Sequence, residues 1–478
     1  MYDYVIIGAG IIGSLIAREL SRYEVSVLLL EKENDIANHQ TTANSAIIHA
    51  GHDPKVGSLK ARLCVEGNAL YDKLEQELSI PLLRCGAFVV ASSPEEEKDL
   101  LSLSERAILN GVKESQIISG DEARLLEPRL SKDITKVLSL ATTKVTYPWE
   151  VAIAAVSNAI KNGVVFMKNA NVITIDKKDD YYILQLANKP SVEAKNVINA
   201  SGVMADHIAH MIEDDVPFKI IPKRGEYFVL DRKAKGLFKH VLYPLPTHKG
   251  KGVLIVPQVH GNILLGPTSY AITDKNDVST TFEGLSYVKE HLHRLSHNIP
   301  YELIIRTFAG VRASSTYEDF YIQESKKFKG FFHVAGIDSP GLTAAPAIAS
   351  YLVKEIIQVE AKLKSDFDPI RKKPIMFNTL SDEEKRKLVR DNPAYGHIVC
   401  KCEKITEQEI IDAIQGPTGS DTIKGIKKRA RAGSGLCQGG YCENTVLKII
   451  ARETHKPLTE INYYALHSPL LMKETKTK

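Results

Sequence analysis

The 478-residue sequence predicts an α/β protein with two further parts, a mostly antiparallel β insertion and a small helical C-terminal module. Three observations carry this. The chain opens on strand, glycine turn and helix; β-rich stretches alternate with turns through its middle; and four of its six cysteines fall in the last fifth. The length is enough for about three domains and a sizeable core. Apolar content of 44% is that of a soluble globular chain, and a formal charge of +4 argues neither for nor against nucleic acid. No 18-residue uncharged apolar run occurs, so no transmembrane segment is expected. "MYDYVIIGAG" lacks the basic region of a secretory signal and runs straight into a strand. A cytoplasmic location is expected, where thiols stay reduced and serve as metal ligands or catalysts more often than in disulfides.

The elements follow in order. "DYVIIGAG" reads as a buried strand, "IIGSLIARELSRY" as a helix and "VSVLLLEKE" as a second buried strand, which together make a βαβ unit. Residues 58–78 show amphipathic helical spacing, and Cys64 and Cys85, each alone in an apolar setting, read as inert packing residues. β-rich stretches near 81–92, 136–146, 217–230, 240–245 and 252–268 predict the second sheet. "KNVINASG" and "KGFFHVAG" read as buried strands ending in glycine, so the nucleotide-binding domain is expected to be discontinuous. The predicted organisation is a main body over 1–370, with a β-rich substrate domain at roughly 81–195 and 215–310. A polar linker follows over 371–395, a cysteine module over 396–455 and a tail over 456–478.

Gly8, Gly10 and Gly13 form G-x-G-x-x-G between strand and helix. The first allows the tight turn, the second lets backbone approach a pyrophosphate, and the third lets helix and strand pack closely. The helix N-terminus presents N–H groups to the phosphates. Glu31 ends the second strand, where a carboxylate bonds a ribose hydroxyl. This is a Rossmann-like dinucleotide site, and the turn alone does not separate FAD from NAD.

The order of glycine turn, acidic strand end, hydroxyl-rich "QTTANSAIIHAG" and late "GIDSPGLTAAPAI" resembles the D-amino-acid-oxidase-like family of FAD oxidoreductases. Within it, "NSAIIHAGHDPKVGSLKARLCVEG", "KRGEYFVL", "PTHKGKGVLIVP", "LLGPTS" and "FAGVRAS" look like the glycerol-3-phosphate oxidases and dehydrogenases and the related 2-hydroxyglutarate oxidoreductases. The similarity covers roughly residues 1–355. It implies FAD lying along the βαβ unit, with the three glycines at its pyrophosphate and Glu31 at its ribose. Thr42, Asn44 and Ser45 are then expected near the flavin, Val172 at the adenine, and Gly202 at a strand end beneath it. The helix starting at Gly341, Leu342 and Thr343 would point its positive end at the flavin. By the same resemblance His49 takes the proton of a secondary alcohol. Arg312 and Lys251 hold an anionic substrate, and Ser339 is a weaker hydrogen-bonding candidate.

Cys400 and Cys402 form C-x-C, and after 34 intervening residues Cys437 and Cys442 form C-x4-C in a glycine-rich loop. Four thiolates bind zinc or an iron–sulfur cluster. Structural zinc usually shows C-x2-C in both halves, and neither pair has it. The pattern resembles the bacterioferritin-associated-ferredoxin type of [2Fe-2S] domain found at the C-terminus of some anaerobic glycerol-3-phosphate dehydrogenase subunits. That resemblance implies a [2Fe-2S] cluster passing electrons singly to a redox partner subunit, and a complex peripheral to the membrane stays open beside the cytoplasmic location. The basic run "KGIKKRARAG" is expected to be a solvated or docking face rather than a nucleic-acid site. The expected activity is oxidation of glycerol 3-phosphate. The alternatives are a 2-hydroxy acid such as 2-hydroxyglutarate as substrate, or a non-catalytic FAD and iron–sulfur subunit.

Overall fold

The computed structural model describes residues 1–246 and 252–473. Contacts divide the chain into two units, Met1–Lys32 with Ala37–Ile370, and Glu33–Ile36 with Arg371–Lys478.

In the first unit β1 (Tyr2–Ile7) is an apolar run paired in parallel with β2 (Val27–Leu30). Between them runs α1 (Ile11–Leu20), whose residues are nearly all buried. The eight-stranded sheet continues from β1 to Lys189–Asn199, itself parallel to Phe331–Ala335, and from β2 to Val165–Met167. "KNVINASG" and "KGFFHVAG" thus lie in one sheet with the glycine turn, where apolar runs without alternation belong.

One boundary needs correction. The substrate part was expected to reach residue 195, yet strands between 165 and 199 pair in the first sheet, and the helix Pro148–Lys161 packs on α1. A β-rich composition reports a strand and not the sheet it joins.

Among the described residues the second sheet has nine strands, and β-strand alternation sets its two faces. In Ala87–Ala91, Phe88 and Val90 enter one apolar cluster while Ala87, Val89 and Ala91 enter the other. Among the described pairings of this sheet, Val241–Pro244 with Ala87–Ala91 is parallel and the rest are antiparallel. The helix α2 (Leu59–Leu78) starts at Ser58, whose hydroxyl accepts from the Ala61 N–H, and ends on left-handed Ser79. Its buried face, Cys64, Gly67, Asn68, Tyr71, Leu74 and Leu78, follows helical spacing and packs on the helix Gly341–Tyr351.

The second unit is helical, with helices Glu407–Gln415, Ile423–Ala430 and Glu443–Thr454 around a core that includes Cys400 and Cys442. Residues 371–395, expected as a linker, carry the helix Asp382–Asp391, started by a Ser381–Glu384 capping box. Phe377 N–H donates to Glu409 Oε1 at 3.2 Å, and Asn378 donates to the Glu403 carbonyl at 3.1 Å. The stretch is therefore part of the module, and its charges lie on the exposed face of that helix. The expected tail also folds in, since Ile461 is buried in the same core and Lys424 N–H donates to the Tyr463 carbonyl.

Candidate functional site

At the glycine turn Gly8 has φ +106°, a conformation costly for any residue with a Cβ. A Cβ there would lie 2.7 Å from the Ala200 oxygen, and one on Gly13 would lie 1.9 Å from the Gly8 oxygen. The turn is as tight as chain geometry permits, and α1 begins at Gly10 with neither side-chain cap nor acidic residue in its first turn. Its N-terminus thus carries a positive dipole that attracts phosphate. Glu31 is buried, and its Oε2 accepts from the Ala9 N–H at 2.8 Å, which fixes the carboxylate at the strand end. The Ala170 N–H donates to the Glu31 carbonyl at 2.8 Å, bringing Val172 to the same end of the sheet. These residues fit the pyrophosphate, ribose and adenine of a dinucleotide.

The hydroxyl-rich loop closes over the turn. Thr41 Oγ1 accepts from the Ile11 N–H at 3.0 Å, a link the sequence reading did not single out. Asn44 Nδ2 donates to the carbonyls of Gln40 and Thr41, while its Oδ1 accepts from the Ala46 N–H. Thr42 donates to the His39 carbonyl at 3.0 Å. Asn44 and Thr42 thus shape the loop backbone, and Ser45 Oγ lies 3.2 Å from the Tyr227 hydroxyl. Gln40, near Gly202, donates to the Ile337 carbonyl at 2.9 Å and ties the loop to the segment before Gly341.

His49 sits in the buried strand end that leaves this loop. Its N–H donates to Thr343 Oγ1 at 2.8 Å, and Asn68 Nδ2 donates to its carbonyl at 2.9 Å. Tyr71 donates to the Leu342 carbonyl at 2.8 Å. The first turn of the helix Gly341–Tyr351 is thereby locked to the histidine backbone. The ring is held separately, its Nδ1 lying 3.1 Å from the Tyr243 hydroxyl. Alternation explains that meeting. Val241 and Tyr243 face the cluster that contains Ile47 and Ala50, and Leu242 faces the other. Burial pushes the Tyr243 phenol well above its usual range, so it is a neutral hydrogen-bonding group.

Arg312 lies two residues from Gly310, on the same strand face, and a Cβ on Gly310 would lie 2.0 Å from the Ala43 oxygen of the loop. Its guanidinium donates to the Thr268 carbonyl at 3.2 Å and to Ser269 Oγ at 3.4 Å, and it remains partly exposed. Ser314, next on that face, donates to Asp338 Oδ2 at 2.9 Å, which places exposed Ser339 at its edge. Lys251 lies outside the described residues. Burial pushes the Cys85 thiol up to about 12, in keeping with a packing residue.

In the second unit the four cysteines are reduced and come as two couples. Cys402 Sγ lies 3.7 Å from Cys437 Sγ. Two thiolates about 2.3 Å from one tetrahedral ion lie about 3.8 Å apart, so this couple matches one edge of such a site. Cys400 is coupled to Cys442, whose hydrogen bond, with the N–H groups of Gly433 and Glu403, brings the Cys400 thiol down to about 6. At Cys437, burial acts upward but the N–H groups of Tyr441 and Gly439 outweigh it. Among the described residues no group of three or more His, Cys, Asp or Glu is placed to hold a single ion. Two couples with backbone donors fit two irons with two thiolates each better than one zinc.

The basic run does not form the expected solvated face. Lys428 and Arg429 are buried on Asp35, with Nζ to Oδ2 at 2.8 Å and Nη2 to Oδ1 at 2.7 Å. Burial pushes the Asp35 carboxyl up, but the two cations together outweigh it and hold it well below the usual range.

Residues 3–355 match the family model described as FAD dependent oxidoreductase, and residues 398–452 match that of the BFD-like [2Fe-2S] binding domain. The chain is 42% identical over its full length, and that of the relative, to a glycerol 3-phosphate dehydrogenase of Caloramator mitchellensis. It is 30% identical to a glycerol 3-phosphate oxidase of Mycoplasma genitalium, over 77% of this chain and 97% of that one. Among solved structures it resembles the dithionite-reduced L-alpha-glycerophosphate oxidase of Mycoplasma pneumoniae with FAD bound. That match has a TM-score of 0.75 at 28% identity, covering 78% of this chain and 99% of the other. No helix among the described residues is long and apolar enough to cross a membrane.

Proposed function

Because the chain belongs to the FAD dependent oxidoreductase family and carries a BFD-like [2Fe-2S] binding domain, we propose that it is a dehydrogenase oxidising sn-glycerol 3-phosphate to dihydroxyacetone phosphate. Its electrons leave through the cluster to a partner protein. The observation that carries the reading is His49, held by Thr343 through its backbone and by Tyr243 through its ring. The full-length relative named for this activity supports the choice of substrate.

FAD when bound supplies the hydride acceptor, and the cluster supplies a one-electron exit. The chain's own residues do the rest. In the tautomer that donates Nδ1–H to the Tyr243 oxygen 3.1 Å away, the His49 lone pair lies on Nε2, and that nitrogen would take the hydroxyl proton of the substrate. Arg312 offers a planar fork to the phosphate, with Lys251 a second cation and Ser339 a hydroxyl at the rim. Gly8, Gly10, Gly13, Glu31, Val172 and Gly202 hold the dinucleotide, while Thr42, Asn44 and Ser45 keep the loop closed over it. Gly341, Leu342 and Thr343 begin the helix whose N-terminal dipole stabilises negative charge nearby. Cys400, Cys402, Cys437 and Cys442 ligate the cluster.

Anaerobic stopped-flow mixing tests this. Glycerol 3-phosphate should bleach the flavin absorbance far faster than L-2-hydroxyglutarate. The reverse order would give the site to 2-hydroxy acids, and bleaching by neither would leave an electron-transfer subunit.

A further inference from the structure

The two cysteine couples differ in exposure. Cys400 and Cys442 are 1% and 2% exposed and belong to the apolar core of the module, whereas Cys402 and Cys437 are partly open to solvent. Two short segments rim the open couple. One is Lys401 to Lys404, with both lysines exposed. The other is the loop 433–442, which lies directly on Cys402, since a Cβ on Gly435 would come 2.4 Å from Cys402 Cβ. This loop leaves Leu436 57% and Tyr441 90% exposed, large apolar groups beside Cys437. The Tyr441 N–H itself bonds the Cys437 sulfur, so the ring projects from the residue that touches the couple.

The exposed charge within these two segments is positive, while the Glu443 carboxylate that follows the loop packs against Gly439. The carboxylate within these segments, Glu403, is buried and bridged by Arg431 at 3.1 Å. Lys428 and Arg429 of the basic run are turned to Asp35. An exposed aromatic and leucine on one segment and two exposed lysines on the other, both flanking the open couple, make the composition of a docking site with an apolar part and a charged part.

We infer that Leu436 and Tyr441, with Lys401 and Lys404, form the electron-exit surface of the module, and that its partner is a small acidic one-electron carrier protein docking over Cys402 and Cys437. The inference deepens the proposed function and rests on its cluster exit. The balance is simple. Each alcohol oxidised to a ketone releases two electrons and two protons. Two oxidised carriers take one electron each, and both protons go to solvent, one by way of His49. Opposite charge across the rim steers the encounter and makes its rate depend on salt.

The test compares full-length holoprotein with Lys401→Glu/Lys404→Glu and with Tyr441→Ala. Acidic rubredoxin, basic cytochrome c and a neutral quinone serve as acceptors. Flavin bleaching by substrate and the paramagnetic signal of the reduced cluster should match wild type in both variants. The second-order rate to rubredoxin should fall about tenfold or more at low salt on charge reversal, with its salt dependence lost or inverted. Tyr441→Ala should slow it at all salt concentrations, and the quinone rate should not change. Unaltered rubredoxin rates in both variants, or a wild-type preference for cytochrome c, overturn the docking surface. A wild-type cluster that stays oxidised while substrate bleaches the flavin overturns the exit route instead, so the two failures are distinguishable.

Discussion

With Nδ1 of His49 3.1 Å from the Tyr243 hydroxyl, the ring cannot turn without giving up a hydrogen bond inside an apolar cluster. His49→Ala should slow flavin bleaching by about 10²–10⁴-fold with FAD retained, the usual contribution of a general base. Tyr243→Phe removes about 0.5–1.5 kcal/mol of hydrogen bonding and should slow it about threefold to tenfold. Because burial holds the Tyr243 phenol well above its usual range, no alkaline loss should arise from it. The rate profile should climb as the base is deprotonated and stay level to about pH 10, at or above which an unperturbed phenol ionises. A descending limb near pH 9 that disappears in Tyr243→Phe would contradict this. His49 was readable only through the family resemblance, because a lone histidine in an apolar stretch after a hydroxyl-rich loop reads by itself as a packed core residue. Tyr243 was not, since 194 residues separate it from its partner and an alternating strand hides one functional side chain among its inward-facing neighbours.

At the scale of elements, close approaches set the geometry. A Cβ on Gly67 of α2 would lie 2.1 Å from the Thr343 carbonyl oxygen, and Thr343 holds the His49 backbone. Gly67→Ala improves helix propensity by about 1 kcal/mol yet forces two helices apart, at about 1–3 kcal/mol. The net expectation is a melting temperature lower by a few degrees together with slower flavin bleaching. An unchanged rate would mean that the helix does not position the histidine. The glycine turn was legible because steric need fixes residue type at fixed spacing. The strands between 165 and 199 were misassigned because alternation and β composition say nothing about pairing partners. Likewise the 371–395 stretch looked like a linker because a helix with one side on a small module keeps most of its residues polar. The basic run misled for a related reason: a charge pattern shows cations and not the buried carboxylate that takes them up. Asp35 supplies that carboxylate. Asp35→Asn would leave Lys428 and Arg429 buried without a counter-charge, at about 3–5 kcal/mol. Its folded-state carboxyl lies lower than in the unfolded chain, so its contribution is complete above about pH 4 and is lost as pH falls below that. Melting followed by release of iron should show this acid-side loss in the wild type and not in Asp35→Asn.

At the scale of the whole molecule, the proposed function joins two-electron chemistry in the FAD dependent oxidoreductase part to one-electron chemistry in the BFD-like [2Fe-2S] part. A flavoprotein of this family ending near residue 355 must hand its electrons to an acceptor that reaches the flavin itself. In the proposed function, continuation into a thiolate module gives a second way out. The two routes make different demands on the same residues. Cys437 belongs to the open couple, and its thiolate is stabilised by the Tyr441 and Gly439 N–H groups, so removing it breaks the module's outer edge while the core around Cys400 and Cys442 remains. Cys437→Ser should therefore leave substrate bleaching of the flavin within about twofold of wild type. Steady-state transfer to a one-electron protein carrier should fall by more than tenfold, and reoxidation by oxygen should stay slow in both proteins. If the serine variant keeps full carrier turnover, electrons bypass the module and its cluster serves structure alone. If instead bleaching itself slows in parallel, the cysteine unit governs the active site through folding, and the division of labour between the two units fails.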